Sequence, residues 1–133
     1  MPVRSLSSRV LVWPSQEAVR LALVTWSREQ AALRPELLRV GLFGSYARGN
    51  PGVGSDLDLV LVVESCAEPW ERRTSAWDTL SLPVPVDAVV YTQPEWDALV
   101  LRKGSLPSTI APYLVWVYSR APVSSVDRNR PQG

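Results

Sequence analysis

Hydrophobic and polar positions change period several times along the chain, and each change predicts an element. Ser15 stands as an N-cap, Glu17 lies in the first turn where a helix dipole favours an anion, and Val19, Ala22, Leu23 and Trp26 then recur at helical spacing. A helix is expected as far as Leu33, ended by Pro35, because the residue before a proline is pushed out of helical backbone. Leu37 to Phe43 reads as a buried strand; Gly44-Ser45 follows at once, and Tyr46-Ala47-Arg48 begins a short helix before Gly49. Asn50 to Gly54 is dense in turn residues, after which Asp56 to Val63 starts as an alternating strand and ends as an apolar one.

Farther on, Glu68 to Leu80 reads as a helix with Trp70, Trp77 and Leu80 for its core face, stopped by Pro83 and Pro85 before a strand from Val86 to Tyr91. Thr92-Gln93-Pro94-Glu95 matches a capping box with proline in the first turn, and Trp96, Leu99 and Val100 give the apolar face of a helix that Gly104 can close. A last strand is expected over Leu114 to Tyr118. Residues 1–14 form an N-terminal extension without sustained period, although Val10 to Trp13 could add a strand or cover an apolar face, and 119–133 form a polar tail expected to be mobile. No internal repeat is visible. Strands alternating with helices over 15–118 predict an α+β fold, α/β-like in its alternation, with a mixed sheet and helices packed on it.

Composition narrows the function classes. At 133 residues the chain supports one core, and 46% hydrophobic with 20% charged residues is the balance of a folded domain, not of a disordered one. The formal net charge is +1, and Arg72-Arg73 and Arg102-Lys103 are the only basic doublets before the tail, so no nucleic-acid partner is expected. Cys66 is alone, no signal-peptide run opens the chain and no stretch is apolar enough to span a bilayer, which points to the cytoplasm and no membrane. Histidine is absent altogether, so chemistry must run on carboxylates, hydroxyls and metal ions.

Asp56 and Asp58 lie two apart on a predicted strand, so both side chains leave one face about 7 Å apart and could grip one or two cations. Taken alone, Asp-Leu-Asp would read as the solvent face of a half-buried strand. Asp87 adds weight, because a lone acid between Val86 and Ala88 bears a desolvation cost unless something positive meets it. Gly44-Ser45 falls where a strand turns into a helix and backbone N–H groups face an anion, although a plain turn glycine with an N-cap serine explains it equally by itself. Arg48, three beyond Ser45, reads either as a phosphate ligand or as half of a structural ion pair. The tryptophans Trp26, Trp70, Trp77 and Trp96 read as core fillers on helices rather than as base-stacking platforms.

The full string Gly44-Ser45-Tyr46-Ala47-Arg48-Gly49, followed by Ser55-Asp56-Leu57-Asp58-Leu59 with ten residues between Ser45 and Asp56, resembles the signature of the minimal nucleotidyltransferases of the DNA polymerase β-like superfamily. The third acid flanked by apolar residues on a later strand is matched by Asp87, and the resemblance runs from Leu37 to Tyr91. It implies a nucleotidyltransferase domain with the polymerase β palm-like fold over 15–118. It also implies two Mg²⁺ ions held by Asp56, Asp58 and Asp87, ATP as substrate bound through Gly44, Ser45 and Arg48, and Asp87 bridging a metal and accepting the nucleophile's proton.

Members of this family that modify small molecules carry a further helical domain, for which the length leaves no room. Minimal members pair with a HEPN-domain protein as antitoxins. The resemblance therefore implies AMP transfer from ATP to a tyrosine of a HEPN toxin, within a hetero-oligomer, or a homodimer for a chain acting alone. The HEPN side carries a catalytic Arg and His, so the absence of His makes this chain the transferase half. Two other readings stand beside it: an adenylyltransferase for a small molecule, and a non-catalytic nucleotide-binding antitoxin that acts by occlusion.

Overall fold

The computed structural model describes residues 13–52 and 54–120, so Val10 to Val12 of the expected N-terminal strand and the tail from 121 lie outside the described residues. The first helix, α1 (Gln16–Leu33), forms as its pattern demands: the Ser15 hydroxyl accepts from the Ala18 N–H at 3.0 Å, and Val19, Leu23, Trp26 and Ser27 are its buried face. It ends at Arg34, whose φ of −129° is the extended backbone that Pro35 imposes. Strand β1 (Leu37–Phe43) follows, then the single turn α2 (Ser45–Arg48), then β2 (Leu57–Val63), β3 (Val86–Thr92), α3 (Gln93–Val100), α4 (Leu106–Ile110) and β4 (Val115–Ser119).

The four strands make one mixed sheet in the order β3-β2-β1-β4, with β1 antiparallel to both its neighbours and β2 parallel to β3. Side chains alternate across it and fill two cores. Leu57, Leu59, Leu61 and Val63 point to the face covered by α1, together with Leu37, Val40 and Leu42. Leu37 and Val40 share that face because the β1–β2 register slips between Leu37 and Arg39, a bulge that restores the alternation. Val60 and Val62 point the other way, to Tyr91, Trp96 of α3 and Ile110 of α4. Gly41 is needed on this second face, since a Cβ there would meet Leu114, Val60 and Trp116 at 3.0 Å or less.

Several expectations need correction. The segment Glu68 to Leu80 is not an α-helix: it holds two 3₁₀ turns, Trp70–Arg72 and Thr74–Ala76. Its helical period was incomplete, for Trp77 is 5% exposed but Trp70 is 54% and Leu80 92%. The segment is the crossover that the parallel pair β2–β3 requires, and side-chain bonds hold it in place. Thr74 Oγ1 donates to Ala88 O at 3.0 Å, and the buried Trp26 indole donates to Asp78 O at 2.7 Å. Trp70 is therefore an exposed aromatic at the β3 edge, not a core filler. Gly104, at φ 91°, does not close α3 directly; it turns the chain into α4, a short helix capped by Ser105 that the sequence pattern did not suggest. The last strand ends at Ser119, one residue beyond expectation, and Arg120 N–H still bonds Leu38 O at 2.8 Å. Among the described residues no helix is long and apolar enough to cross a membrane.

Candidate active site

Sheet register brings the predicted residues to one corner. Antiparallel pairing sets Phe43 opposite Asp58, and parallel pairing sets Asp58 beside Asp87, so the end of β1 and the starts of β2 and β3 form a single row. Strands in a sheet run about 4.8 Å apart, which makes Asp58 and Asp87 neighbours on the face shared with α3 and α4. Asp56 lies one residue ahead of β2, exposed, with the buried Leu57 between it and Asp58. The other two acids bear on Asp58: its carboxyl is held above its ordinary value, first by burial, then by the charges of Asp87 and Asp56, with Arg48 pulling the other way.

Asp58 thus carries the desolvation that the sequence pattern assigned to Asp87. Asp87 stands on the edge strand β3 and is exposed, whereas Asp58 is on an inner strand and half-buried. Gly44 lies against the Asp58 carboxylate. Its φ of 76° is a backbone that favours glycine, and a Cβ at that position would collide with Asp58 Oδ2 and approach Asp58 Cγ to 3.0 Å. The turn therefore closes directly over the carboxylate, and any side chain at 44 would displace it.

Ser45 opens α2, which is only four residues long. So short a helix offers an anion its first N–H groups and the Ser45 hydroxyl rather than a summed macrodipole. Arg48 closes the turn, exposed, and forms no ion pair among the described residues; its field reaches Asp58 nonetheless. The loop before the acids is fixed at Ser55, whose hydroxyl accepts from Gly52 N–H at 2.9 Å.

The donor set suits a hard divalent cation: three carboxylates, no sulfur and no imidazole. Among the described residues, no three His, Cys, Asp or Glu side chains are drawn into a closed ligand set. Like charges in one corner repel, and Mg²⁺ is commonly held by one or two carboxylates with substrate phosphates and water completing the octahedron, so an open corner fits that ion. A cavity of about 840 Å³ lies at the opposite end of the sheet beside Glu36, Glu64 and Asp97, and contains none of these residues. Sequence reasoning missed the residues that grip α2 from behind, Arg20 and Gln16, because hydrogen bonds to backbone carbonyls leave no sequence motif.

A family model described as the nucleotidyltransferase domain matches residues 27–110, and the chain belongs to that family. No curated protein matches the chain. Among solved structures, a candidate nucleotidyltransferase from Sulfolobus solfataricus is 24% identical over 79% of this chain and 84% of its own, with a TM-score of 0.57. A toxin–antitoxin structure with AMP-PNP is 20% identical over 81% of this chain and 76% of its own, with a TM-score of 0.51. A mutant of the toxin–antitoxin MntA-HpeT is 18% identical over the same shares, with a TM-score of 0.50. At these identities the likeness is one of fold, and it agrees with the mixed four-stranded sheet carrying helices.

Proposed function

We propose, from the premise of a nucleotidyltransferase domain, that this chain transfers AMP from ATP to a hydroxyl acceptor, a tyrosine of a HEPN toxin for which it serves as antitoxin. The observation that carries the reading is the position of Asp58: between Asp56 and Asp87, under Gly44, with burial and two like charges opposing its ionisation. A structural acid in that setting would be a cost with no return, so the arrangement calls for a cation. The toxin–antitoxin setting of two fold neighbours, one with AMP-PNP, supports the choice of nucleotide and partner.

In this reading Asp56, Asp58 and Asp87 would hold Mg²⁺, which when bound offsets the charge of the triphosphate and lowers the pKa of the attacking hydroxyl. Ser45 and the first N–H groups of α2 bind phosphate oxygens, and Arg48 adds charge from the same turn. Asp87, exposed on the edge strand, is open to an incoming acceptor. It takes the hydroxyl proton as the oxygen bonds the α-phosphorus; the bond from that phosphorus to the bridging oxygen breaks, and pyrophosphate leaves. The test is co-expression with a HEPN partner and mass spectrometry of that partner. Added AMP on a tyrosine, absent with Asp87→Asn, supports the reading; an unmodified but neutralised toxin would favour occlusion.

A further inference from the structure

The turn that carries Ser45 and Arg48 cannot hold its own shape. It is four residues long, far below the length at which a helix is stable in water, and its Gly44 cap makes no side-chain hydrogen bond to it. It is also bounded by two glycines with positive φ, Gly44 at 76° and Gly49 at 82°, which leave both ends conformationally permissive. Yet its first residues must present N–H groups and a hydroxyl in fixed register with Asp58 if they are to bind phosphate.

The grip comes from one stretch of chain. Arg20 Nη2 donates to Tyr46 O at 3.1 Å, Gln16 Nε2 donates to Gly49 O at 3.2 Å, and Trp13 Nε1 donates to Tyr46 OH at 3.3 Å. Gln16 and Arg20 stand one turn apart on α1, so they lie on the same side of that helix and together reach one carbonyl of α2 and the carbonyl of its C-cap, Gly49. Tyr46, only 1% exposed, roots the turn in the core below. The Arg20 cation makes its bond charge-assisted, which strengthens its hold on the Tyr46 carbonyl.

We infer that Arg20 and Gln16 are positioning residues of the nucleotide site, which α1 uses to hold the Gly44-Ser45 turn in register with the acids. This inference rests on the proposed nucleotide binding at that turn, but the clamp itself has a readout independent of it. In the full chain without nucleotide, Arg20→Met should speed amide hydrogen exchange at 44–50 by about tenfold, the scale of one lost charged hydrogen bond, while β2 and β3 stay protected. With Mg-ATP as the probe, the same variant should raise KM about tenfold and leave kcat within about twofold, because a bond that orients a binding group acts on nucleotide affinity. Arg20→Lys should recover part of both effects. Gln16→Leu, at an exposed position, should show the same pattern more weakly and serves if Arg20→Met does not fold.

Unchanged exchange at 44–50 would overturn the clamp. So would loosening spread equally over α1 and the sheet with nucleotide affinity intact, since that is a merely structural role. Localised loosening in a chain whose wild type transfers no nucleotide would leave the clamp standing and remove the proposed function instead.

Discussion

Asp58 on β2 and Glu95 in the first turn of α3 are both carboxylates, and the fold treats them in opposite ways. Glu95 is fully partnered: both of its oxygens accept from Arg73, at 2.7 and 3.1 Å, and it completes the capping box of α3 by accepting from Thr92 N–H at 2.9 Å. Its carboxyl is held below the ordinary range, chiefly by the hydrogen bonds from Arg73. Asp58 is held above that range by burial and by two neighbouring acids, with only Arg48 at a distance in compensation. One acid is built to stabilise the protein by itself. The other is a debt that a ligand must settle, and such groups mark functional corners.

The sharpest way to break this contrast is to exchange the outcomes. Asp58→Ala or Asp56→Ala should lower AMP transfer by about 10² or more, because electrostatic stabilisation of the transition state dominates catalysis of this kind. The double variant should lose little beyond either single one, since residues acting as a unit are non-additive. Glu95→Ala in a transfer assay at a temperature where the variant remains folded should retain nearly full activity. A Glu95 effect as large as the Asp58 effect would erase the distinction.

Stability should show the reverse. Glu95→Gln should destabilise the fold by about 1–2 kcal/mol in denaturant titration, the low end for charge-assisted bonds because the Glu95 side chain is 39% exposed and its pairing is screened. Ser45→Ala follows as a smaller effect on function alone: about a fivefold weaker nucleotide affinity with an unchanged melting temperature, since it removes a hydroxyl and no core volume. An unchanged affinity would take Ser45 out of the site.

The smallest effect is in pH, and its sign differs between the two acids. Glu95 has a folded pKa below its ordinary 4.5, so its stabilisation is present above that value and lost as pH falls through the folded pKa. Asp58 has a folded pKa above its ordinary 3.8, so folding is most favoured with the group protonated, and a cost grows as pH rises through the folded pKa. In metal-free buffer at pH 7, Asp58→Asn should therefore melt at or above the wild-type temperature, with the difference closing in acid. A lower melting temperature at pH 7 would show that Asp58 is a stabilising acid after all.

Much of this corner was legible in the sequence because its parts are local. Strand, glycine turn and alternating strand from Leu37 to Val63 follow one another within a short span, and their antiparallel pairing needs only that hairpin-like return. The capping box of α3 was legible for the same reason, as four consecutive residues satisfy one another. What depends on distant parts of the chain was not. Asp87 reads as the desolvated acid only until the strand order makes β3 an edge and β2 an inner strand. The crossover from Glu68 to Leu80 has helical-looking spacing, but its shape is set by Arg73 and Thr74 bonding to β3 carbonyls. Arg20 looks like any solvent-facing helix residue until the turn it holds is in view.

The most direct measurement is the melting temperature of the wild type and of Asp58→Asn as Mg²⁺ and then Mg-ATP are titrated into metal-free protein. If the corner is a cation and nucleotide site, wild-type stability should climb with ligand, by about 2.7 kcal/mol at a hundredfold excess over Kd, while Asp58→Asn starts at or above the wild type and gains little. A wild-type curve indifferent to both ligands, or an Asp58→Asn variant that responds as fully as the wild type, would contradict the account.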